Sequence, residues 1–194
     1  EAVGKHFPGH GSVEGDSHHV MPFDRRSPDT IMAHDLVTFR QVIQTHLAAI
    51  MMAHVIYEQV DPQPAGYSAY WIEQILRRQL GFEGVVFSDD LSMSGAESVG
   101  GYAQRAQASL EAGCDMLLVC NNPAGADEVL ESLQDYNNPV SQLRLVRLHG
   151  HPRDKKQRLF KSARWQQAVT RLHDFMNLAR ASDSDDLFAQ TNQH

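Results

Sequence analysis

Short apolar runs, each ending in polar residues, recur along the first two thirds of the chain. Three of them are residues 50–53, 85–88 and 116–120, and residues 2–7 have the character of the end of a fourth. Continuous apolar runs of this length are typical of parallel strands that are buried on both faces. We therefore predict four parallel strands, each leading into a polar turn.

Patterns with helical spacing lie between these runs. Residues 68–80 place apolar side chains at helical intervals, and Gly81 follows as a predicted C-cap. Residues 102–112 repeat the pattern with alanines, and Gly113 follows them. Alternating strands and helices predict a parallel α/β fold. Four such units correspond to about half of a TIM (β/α)8 barrel, which has eight units and typically about 250 residues.

The last third of the chain departs from this alternation. A helix is predicted at residues 124–133, a break containing Asn and Pro follows at residues 136–139, and an amphipathic helix is predicted at residues 162–178. The basic stretch 149–158 has no role that we can assign. Residues 182–194 form a polar tail in this interpretation.

Composition narrows the classes of function. The 194 residues are 42% hydrophobic, enough to build a core, and the formal net charge is −7. Because no basic stripe offsets this charge, we expect no nucleic-acid partner. The longest apolar stretch, residues 47–53, is far too short to cross a bilayer, so we expect no membrane-spanning segment.

The two cysteines are not expected to form a disulfide. Cys114 and Cys120 border one apolar run, and two positions on a single extended strand are too far apart to bridge. Reduced thiols favour an intracellular protein. The chain begins at Glu1 without an initiator methionine, so we expect the natural amino terminus to lie upstream.

The first candidate site is the polar segment at the start of the chain. Residues 5–11 combine Lys5 and His6 with two glycines, which permit a tight turn and a close approach of the backbone to a ligand. Asp16 and His18 follow on the same loop, where a carboxylate can orient an imidazole and stabilise its charged form. Such a pair suits a group that donates a proton and later takes one back.

Two other interpretations of this segment stay open. It can be an ordinary polar loop, which is the more frequent meaning of an isolated Asp-x-His. It can also be a zinc site, because His6, His10, His18 and His19 crowd together. Their spacing does not favour that site, since Pro8 and the glycine after it prevent a regular helical turn between His6 and His10.

The second candidate site is the apolar strand that runs directly into Asp89 and Asp90. In a parallel α/β barrel the carboxyl ends of the strands form the active-site face, so a carboxylate here is placed for catalysis. Consecutive strand residues point to opposite sides, so the two aspartates cannot do the same job. The alternative is that one or both cap the following helix.

Long, ordered blocks of this sequence resemble a known family. The blocks are KHFPGHG (5–11) with DSH (16–18), IMMAHVIY (50–57), GFEGVVFSDDLSM (81–93) and AGCDMLL (112–118). They resemble the bacterial β-N-acetylglucosaminidases of glycoside hydrolase family 3, over about residues 1–135. The resemblance implies hydrolysis of terminal β-linked N-acetylglucosamine from peptidoglycan fragments in the cytoplasm, by a monomer without a metal or organic cofactor.

The resemblance also implies roles for individual residues. Asp89 matches the nucleophile that forms a covalent glycosyl-enzyme intermediate, and His18 matches the acid/base, assisted by Asp16. Lys5 and His6 match residues that hold sugar hydroxyls. His54, at the end of a predicted strand, is expected either to border the pocket or to pack structurally.

The same resemblance divides the chain and limits the expected activity. Residues 1–135 correspond to the second half of a (β/α)8 barrel, residues 136–180 to a closing helical segment, and residues 181–194 to a polar tail. Because the family's barrel starts upstream, we expect the isolated chain to be inactive or nearly so, and poorly soluble because of its open strand edges. The alternatives are a metal-dependent barrel hydrolase that uses the histidine cluster, and a sugar-binding module without turnover.

Overall fold

The computed structural model describes residues 2–13, 17, 21–149 and 156–190. The chain divides into two compact units, Glu1–His149 and Gly150–His194. Asp16 and His18 lie outside the described residues.

The first unit contains six strands and five α-helices among its described residues. The strands are β1 (Val3–Phe7), β2 (Phe23–Asp24), β3 (Ala49–Met52), β4 (Ile56–Tyr57), β5 (Val85–Asp90) and β6 (Met116–Leu118). The helices are α1 (Pro28–Ala33), α2 (Asp35–Gln44), α3 (Tyr102–Ala112), α4 (Pro123–Ser132) and α5 (Pro139–Val146). A π-helix (Tyr70–Gln79) and two 3-10 helices (Ala65–Tyr67 and Ser94–Val99) complete the unit.

The four predicted strands form one parallel sheet. Its strand order is β1-β3-β5-β6, and every pairing is parallel. Helices connect the strands, as expected for consecutive units of a β/α barrel. β2 and β4, which the apolar pattern did not reveal, form a separate two-stranded parallel sheet.

Glycines end the helices before β5 and β6. Gly81 has φ +69° after the π-helix, and Gly113 has φ +112° after α3. A positive φ is inexpensive only for glycine. Gly113 is the C-cap of α3, whereas the C-cap of the π-helix is Leu80 and the predicted Gly81 directly follows it. A Cβ atom at Gly113 would also lie 2.9 Å from Ile72 Cγ2, so the backbone approaches the π-helix closely there.

The core lies between the sheet and its helices. Phe7, Ile50, Trp71, Ile72 and Val86 belong to one cluster of buried side chains. Trp71 is fully buried, with its ring edge-on to the rings of Phe7 and Tyr57. A second cluster around Leu91 packs beneath α3 and α4. Truncating a buried aromatic side chain of this kind typically costs about 3–5 kcal/mol.

A network of charged side chains joins the amino ends of β5 and β6. Asp115, directly before β6, accepts hydrogen bonds through Oδ2 from Arg77 Nη2 (2.7 Å) and from the Val86 amide (2.9 Å). Its Oδ1 accepts from Ser141 Oγ (2.6 Å) and Arg144 Nη1 (2.9 Å). These bonds hold the π-helix and α5 against the amino edge of the sheet. We call Asp115, Arg77, Arg144, Ser141 and the Val86 amide the amino-edge network.

Helices α1, α2 and α5 of the first unit were not predicted, although α1 and α5 each carry a local start signal. Ser27 caps α1 ahead of Pro28, and Asn138 caps α5 ahead of Pro139. A capping side chain followed by proline is a typical helix start, so the break predicted at residues 136–139 is in fact the start of α5. α2 follows α1 directly, after His34.

The second unit contains α6 (Lys156–Lys161) and α7 (Ala163–Gln190). The rings of Phe160 and Trp165 meet edge to face, with centroids 4.9 Å apart. α7 covers the predicted helix 162–178 and continues through residues 181–190, the start of the predicted polar tail. Among the described helices of both units, none is long and apolar enough to cross a membrane.

Both cysteines are free thiols, as predicted. Cys114 is fully buried, and burial raises the pKa of its thiol far above the ordinary value. Cys120 is exposed at the carboxyl end of β6.

Candidate active site

The polar residues that follow the strands meet at the carboxyl edge of the sheet. β1 contains Lys5 and brings His6 there, β3 leads into His54, and β5 ends in Asp89 and Asp90. Parallel strands place their carboxyl ends on one side, which is why segments far apart in sequence converge here. The pairing of β1 with β3 is irregular between Gly4 and Phe7, where Lys5 and His6 lie.

Asp89 faces His6 across this edge. Its Oδ2 atom lies 3.7 Å from His6 Nε2, and its Oδ1 accepts a hydrogen bond of 2.8 Å from the Asp90 amide. The Asp89 side chain keeps 11% of its surface exposed and the His6 side chain 30%. Asp89 is thus a largely buried carboxylate with one oxygen directed toward an accessible imidazole.

Asp90 has a different environment. Its carboxylate accepts hydrogen bonds from the Ser92 amide (2.9 Å), the Ser92 hydroxyl (2.7 Å) and the Cys120 amide (2.9 Å). Burial opposes ionisation of Asp90, but these hydrogen bonds outweigh it and hold the pKa of this carboxyl below its ordinary value. Asp90 therefore ties the turn after β5 to the end of β6, and the two adjacent aspartates do different jobs.

His54 lies beneath the two aspartates and is fully buried. Its Nε2 atom is 3.1 Å from the backbone carbonyl oxygen of Asp90, and its ring packs on Tyr67 with centroids 5.9 Å apart. Burial lowers the pKa of His54, although the nearby carboxylates of Asp89 and Asp90 act in the opposite direction. The sequence left two expectations for His54, bordering the pocket or packing structurally. Its full burial agrees with the second.

The glycine-containing segment after β1 is held at two points. The Tyr57 hydroxyl donates a hydrogen bond to the Gly9 carbonyl. His10 Nε2 lies 3.3 Å from Ser17 Oγ, and the rings of His6 and His10 approach with centroids 6.0 Å apart. This segment is therefore held by β4 and by Ser17, and His10 lies beside His6, the residue that faces Asp89.

Ser17 lies between two predicted site residues in the sequence. Asp16 and His18 lie outside the described residues, but Ser17 between them is buried. Its carbonyl accepts a hydrogen bond of 3.1 Å from the Gly95 amide, in the 3-10 helix after β5. Of the other predicted residues, Lys5 is exposed at the sheet edge, and His6 and Asp89 are brought together.

Charged residues that sequence reasoning missed support the neighbouring β2–β4 sheet. The guanidinium of Arg26 binds Asp24 (2.6 Å) and Asp35 (2.7 Å). Hydrogen bonds to these carboxylates raise the pKa of Arg26 still further above its ordinary value. The spacing of the three residues carries no recognisable motif.

Two other features bear on the choice of site. Within the described ranges, no group of three or more His, Cys, Asp or Glu side chains is arranged to hold a metal ion. An open cleft lined in part by Ile43, Leu47, Phe82 and Arg147 lies at the amino edge of the sheet, opposite Asp89. No predicted site residue among the described ones lines this cleft, whereas His6 and Asp89 meet at the carboxyl edge, so we assign the candidate site to the carboxyl edge.

Comparison with known proteins gives consistent matches. The family profile described as "Glycosyl hydrolase family 3 N terminal domain" matches residues 1–148. A protein named beta-hexosaminidase from Thioalkalivibrio sulfidiphilus is 54% identical over 167 residues, which cover 86% of this chain and 48% of that protein. This chain spans about half the length of the curated relatives that it matches.

Solved structures agree with the sequence relatives. NagZ from Neisseria gonorrhoeae, in complex with N-trifluoroacetyl-D-glucosamine, superimposes with a TM-score of 0.73 and 46% identity, covering 86% of this chain and 48% of that one. A glycoside hydrolase family 3 beta-N-acetylglucosaminidase from Paenibacillus gives a TM-score of 0.71 and 30% identity, covering 79% and 33%. The predicted fold class, part of a β/α barrel, is confirmed.

Proposed function

The chain belongs to glycosyl hydrolase family 3, as its motifs predicted, and from this membership we propose that it carries the reacting groups of a retaining β-N-acetylhexosaminidase. Asp89 is the nucleophile in this proposal, and His18 assisted by Asp16 is the acid/base. Lys5 and His6 bind hydroxyl groups of the sugar. The reaction releases a terminal β-linked N-acetylglucosamine and uses no metal or organic cofactor.

In the first step, Asp89 Oδ2 attacks the anomeric carbon of the sugar. The bond from this carbon to the leaving-group oxygen breaks, its electron pair goes to that oxygen, and the imidazolium of His18 supplies the proton. A glycosyl ester on Asp89 results. Asp89 suits this role because its Oδ1 is held by the Asp90 amide while Oδ2 faces the accessible side of the site.

In the second step, water replaces the aspartate. Neutral His18 takes a proton from the water, whose oxygen attacks the anomeric carbon, and the bond to Asp89 breaks to restore the carboxylate. Two displacements at one carbon retain its configuration. An imidazole with an ordinary pKa of about 6.5 can serve both as acid and as base near neutrality, and the Asp16 carboxylate stabilises its charged form.

The single observation that carries the proposal is the contrast between the two aspartates of β5. Asp90 is bound by three hydrogen bonds from Ser92 and Cys120, whereas Asp89 faces His6 at the carboxyl edge. The sugar bound to the Neisseria neighbour and the activity named for the Paenibacillus neighbour support N-acetylglucosamine as the substrate.

The test is release of a chromogenic leaving group from a β-N-acetylglucosaminide by the complete polypeptide that carries this sequence. We expect hydrolysis that survives a chelator, and proton NMR that shows the β-anomer as the first sugar product. Loss of activity on chelation would support a metal-dependent hydrolase instead. Saturable sugar binding without hydrolysis would support a binding module.

We further propose that the natural substrate is an N-acetylglucosaminyl fragment of peptidoglycan, processed in the cytoplasm by a monomer. The motifs of residues 5–18 and 81–93 support this, through the family that they resemble. Cell fractionation with a tagged protein, and accumulation of N-acetylglucosaminyl muropeptides after gene deletion, test it. Recovery of the protein outside the cytoplasm, or unchanged muropeptides, would contradict it.

A further inference from the structure

His54 uses one of its ring nitrogens to hold the end of β5. Its Nε2 atom lies 3.1 Å from the Asp90 carbonyl oxygen, one residue after Asp89. A carbonyl oxygen only accepts hydrogen bonds, so Nε2 carries the hydrogen and donates it. The side chain is fully buried, and the bond links the loop after β3 to the end of β5.

The surroundings of the other ring nitrogen favour a neutral ring. Nδ1 is buried and has no hydrogen-bond partner among the described residues. A proton on Nδ1 would have no acceptor among those described residues. Burial also disfavours the imidazolium and lowers the pKa of His54. Among the described residues, the charged or titratable groups that act on the ring are Asp89, Asp90 and His6, and the Tyr67 ring packs against it.

The polar ring of His54 makes the folded state less stable than an apolar side chain at this position would. A buried nitrogen without a hydrogen-bond partner destabilises the folded state, and a leucine would fill similar space without this penalty. The compensating feature is the bond to the Asp90 carbonyl. Packing alone does not require a histidine at this position. The hydrogen bond, which holds the segment that contains Asp89, does.

His54 also packs against Gly95, in the 3-10 helix whose turn binds the Ser17 carbonyl. A Cβ atom at Gly95 would lie 2.9 Å from His54 Cβ and 3.1 Å from the Ser17 carbonyl oxygen, so the turn packs directly on the histidine. The Gly95 amide donates to that same carbonyl at 3.1 Å. One buried side chain therefore contacts both the backbone after Asp89 and the turn beside Ser17.

We propose that His54 is a positioning residue, which fixes Asp89 through the Asp90 carbonyl and supports, through Gly95, the loop segment at Ser17. The proposal rests on the proposed glycosidase function for its effect on rate. Its geometric part, a neutral Nε2–H ring bound to the Asp90 carbonyl, does not depend on that function. A nucleophile misplaced by about 1 Å can lose roughly 10²-fold in rate, so this bond has a measurable consequence.

The first test compares His54→Leu with His54→Gln in the complete polypeptide. Leucine fills the space but cannot donate, whereas the glutamine amide can replace Nε2–H. We expect kcat to fall by roughly 10- to 100-fold in His54→Leu with KM changed less than about threefold, and His54→Gln to recover most of the loss. His173→Leu, at an exposed position of α7, is the matched control.

Two results would overturn the proposal. One is a folded His54→Leu variant with the kcat of the parent, and the other is equal loss in both variants at equal thermal stability. The fall in kcat must be measured per folded molecule, so the unfolding of each variant is followed by circular dichroism.

The second test needs no activity and separates this proposal from the proposed function. Nitrogen-15 NMR of the histidine rings should show His54 as the neutral Nε2–H tautomer, unchanged through the range in which exposed histidines titrate. The carbonyl carbon of Asp90 should shift in His54→Leu and stay near its parent position in His54→Gln. A ring that carries its hydrogen on Nδ1, or an unchanged Asp90 carbonyl in His54→Leu, would overturn the proposal even where hydrolysis is observed.

Discussion

Among the described residues, Asp115 at the amino edge of the sheet accepts four hydrogen bonds from the other members of the amino-edge network, whereas Asp89 at the carboxyl edge accepts one, from its neighbour's amide. Both carboxylates are largely buried, with 1% and 11% of their side-chain surface exposed. Buried charge is costly unless it is paired, and Asp115 meets that requirement within the fold. Asp89 leaves Oδ2 directed at His6 and at the accessible side, where a substrate can approach.

The comparison separates two uses of a buried aspartate. Substitution at the amino edge should cost stability without altering the chemistry of folded molecules. Substitution of Asp89 should remove the chemistry at little cost in stability. The following changes test this separation, beginning with the largest expected effect.

Asp89→Asn should abolish hydrolysis. An amide is a poor nucleophile, so we expect turnover by the complete polypeptide to fall by roughly 10⁴-fold or more. The amide oxygen can still accept from the Asp90 amide, so the unfolding free energy should change by less than about 1 kcal/mol. Asp127→Asn, at an exposed position of α4, is the control for both measurements. Hydrolysis retained in Asp89→Asn would refute the assignment.

Asp115→Asn should lower stability and leave hydrolysis by folded molecules unchanged. It leaves the guanidinium of Arg77, whose side chain is 7% exposed, without its charged partner, and it weakens the hold on Arg144. Breaking a buried pair in this way typically costs about 3–5 kcal/mol, which denaturant unfolding would measure. The kcat per folded molecule should stay that of the parent. An Asp115→Asn variant that is as stable as the parent but has a low kcat would contradict the structural role that we assign to the amino edge.

Gly113→Ala tests the backbone of the amino edge. The residue has φ +112°, and an added Cβ would lie 2.7 Å from Glu73 Oε1 and 2.9 Å from Ile72 Cγ2. We expect a loss of about 1–3 kcal/mol in the unfolding free energy. Gly101→Ala serves as the control because Gly101 has φ −74° and only flexible side-chain ends nearby. Equal losses in the two variants would show that the strained turn before β6 is unimportant.

The smallest expected effect is a pH dependence from His54 at the carboxyl edge. Burial lowers the pKa of His54, so the unfolded chain takes up a proton as the pH falls through about 6.5 while the folded protein resists it. The parent should therefore lose more stability between about pH 7 and about pH 5 than His54→Gln loses. Parallel curves for the two proteins would show that His54 titrates alike in the folded and unfolded states.

Local signals in the sequence predicted much of the first unit. The apolar runs located the four strands, and Gly81 and Gly113 marked two helix ends, because strand burial and positive φ depend on nearby residues. The placement of Asp89 followed from its position at a strand end. The approach of His6 to Asp89 follows from the shared edge of parallel strands.

The features that escaped prediction depend on contacts between distant residues. Arg77 and Ser141 lie 38 and 26 residues from Asp115, and no spacing rule connects them. The bond from His54 to the Asp90 carbonyl spans 36 residues, so the sequence left open whether His54 lines the site or packs beneath it. α5 escaped for another reason, because Asn138 and Pro139 were interpreted as a break instead of a helix start.

The central claim is that Asp89, and not Asp90, forms the bond to the sugar. Incubating the complete polypeptide with a fluorinated N-acetylglucosamine analogue that slows the second step should trap the glycosyl ester. Peptide mapping by mass spectrometry should then find one added sugar on Asp89, and none in Asp89→Asn. A label on Asp90, or turnover of substrate without any trapped ester, would contradict the account.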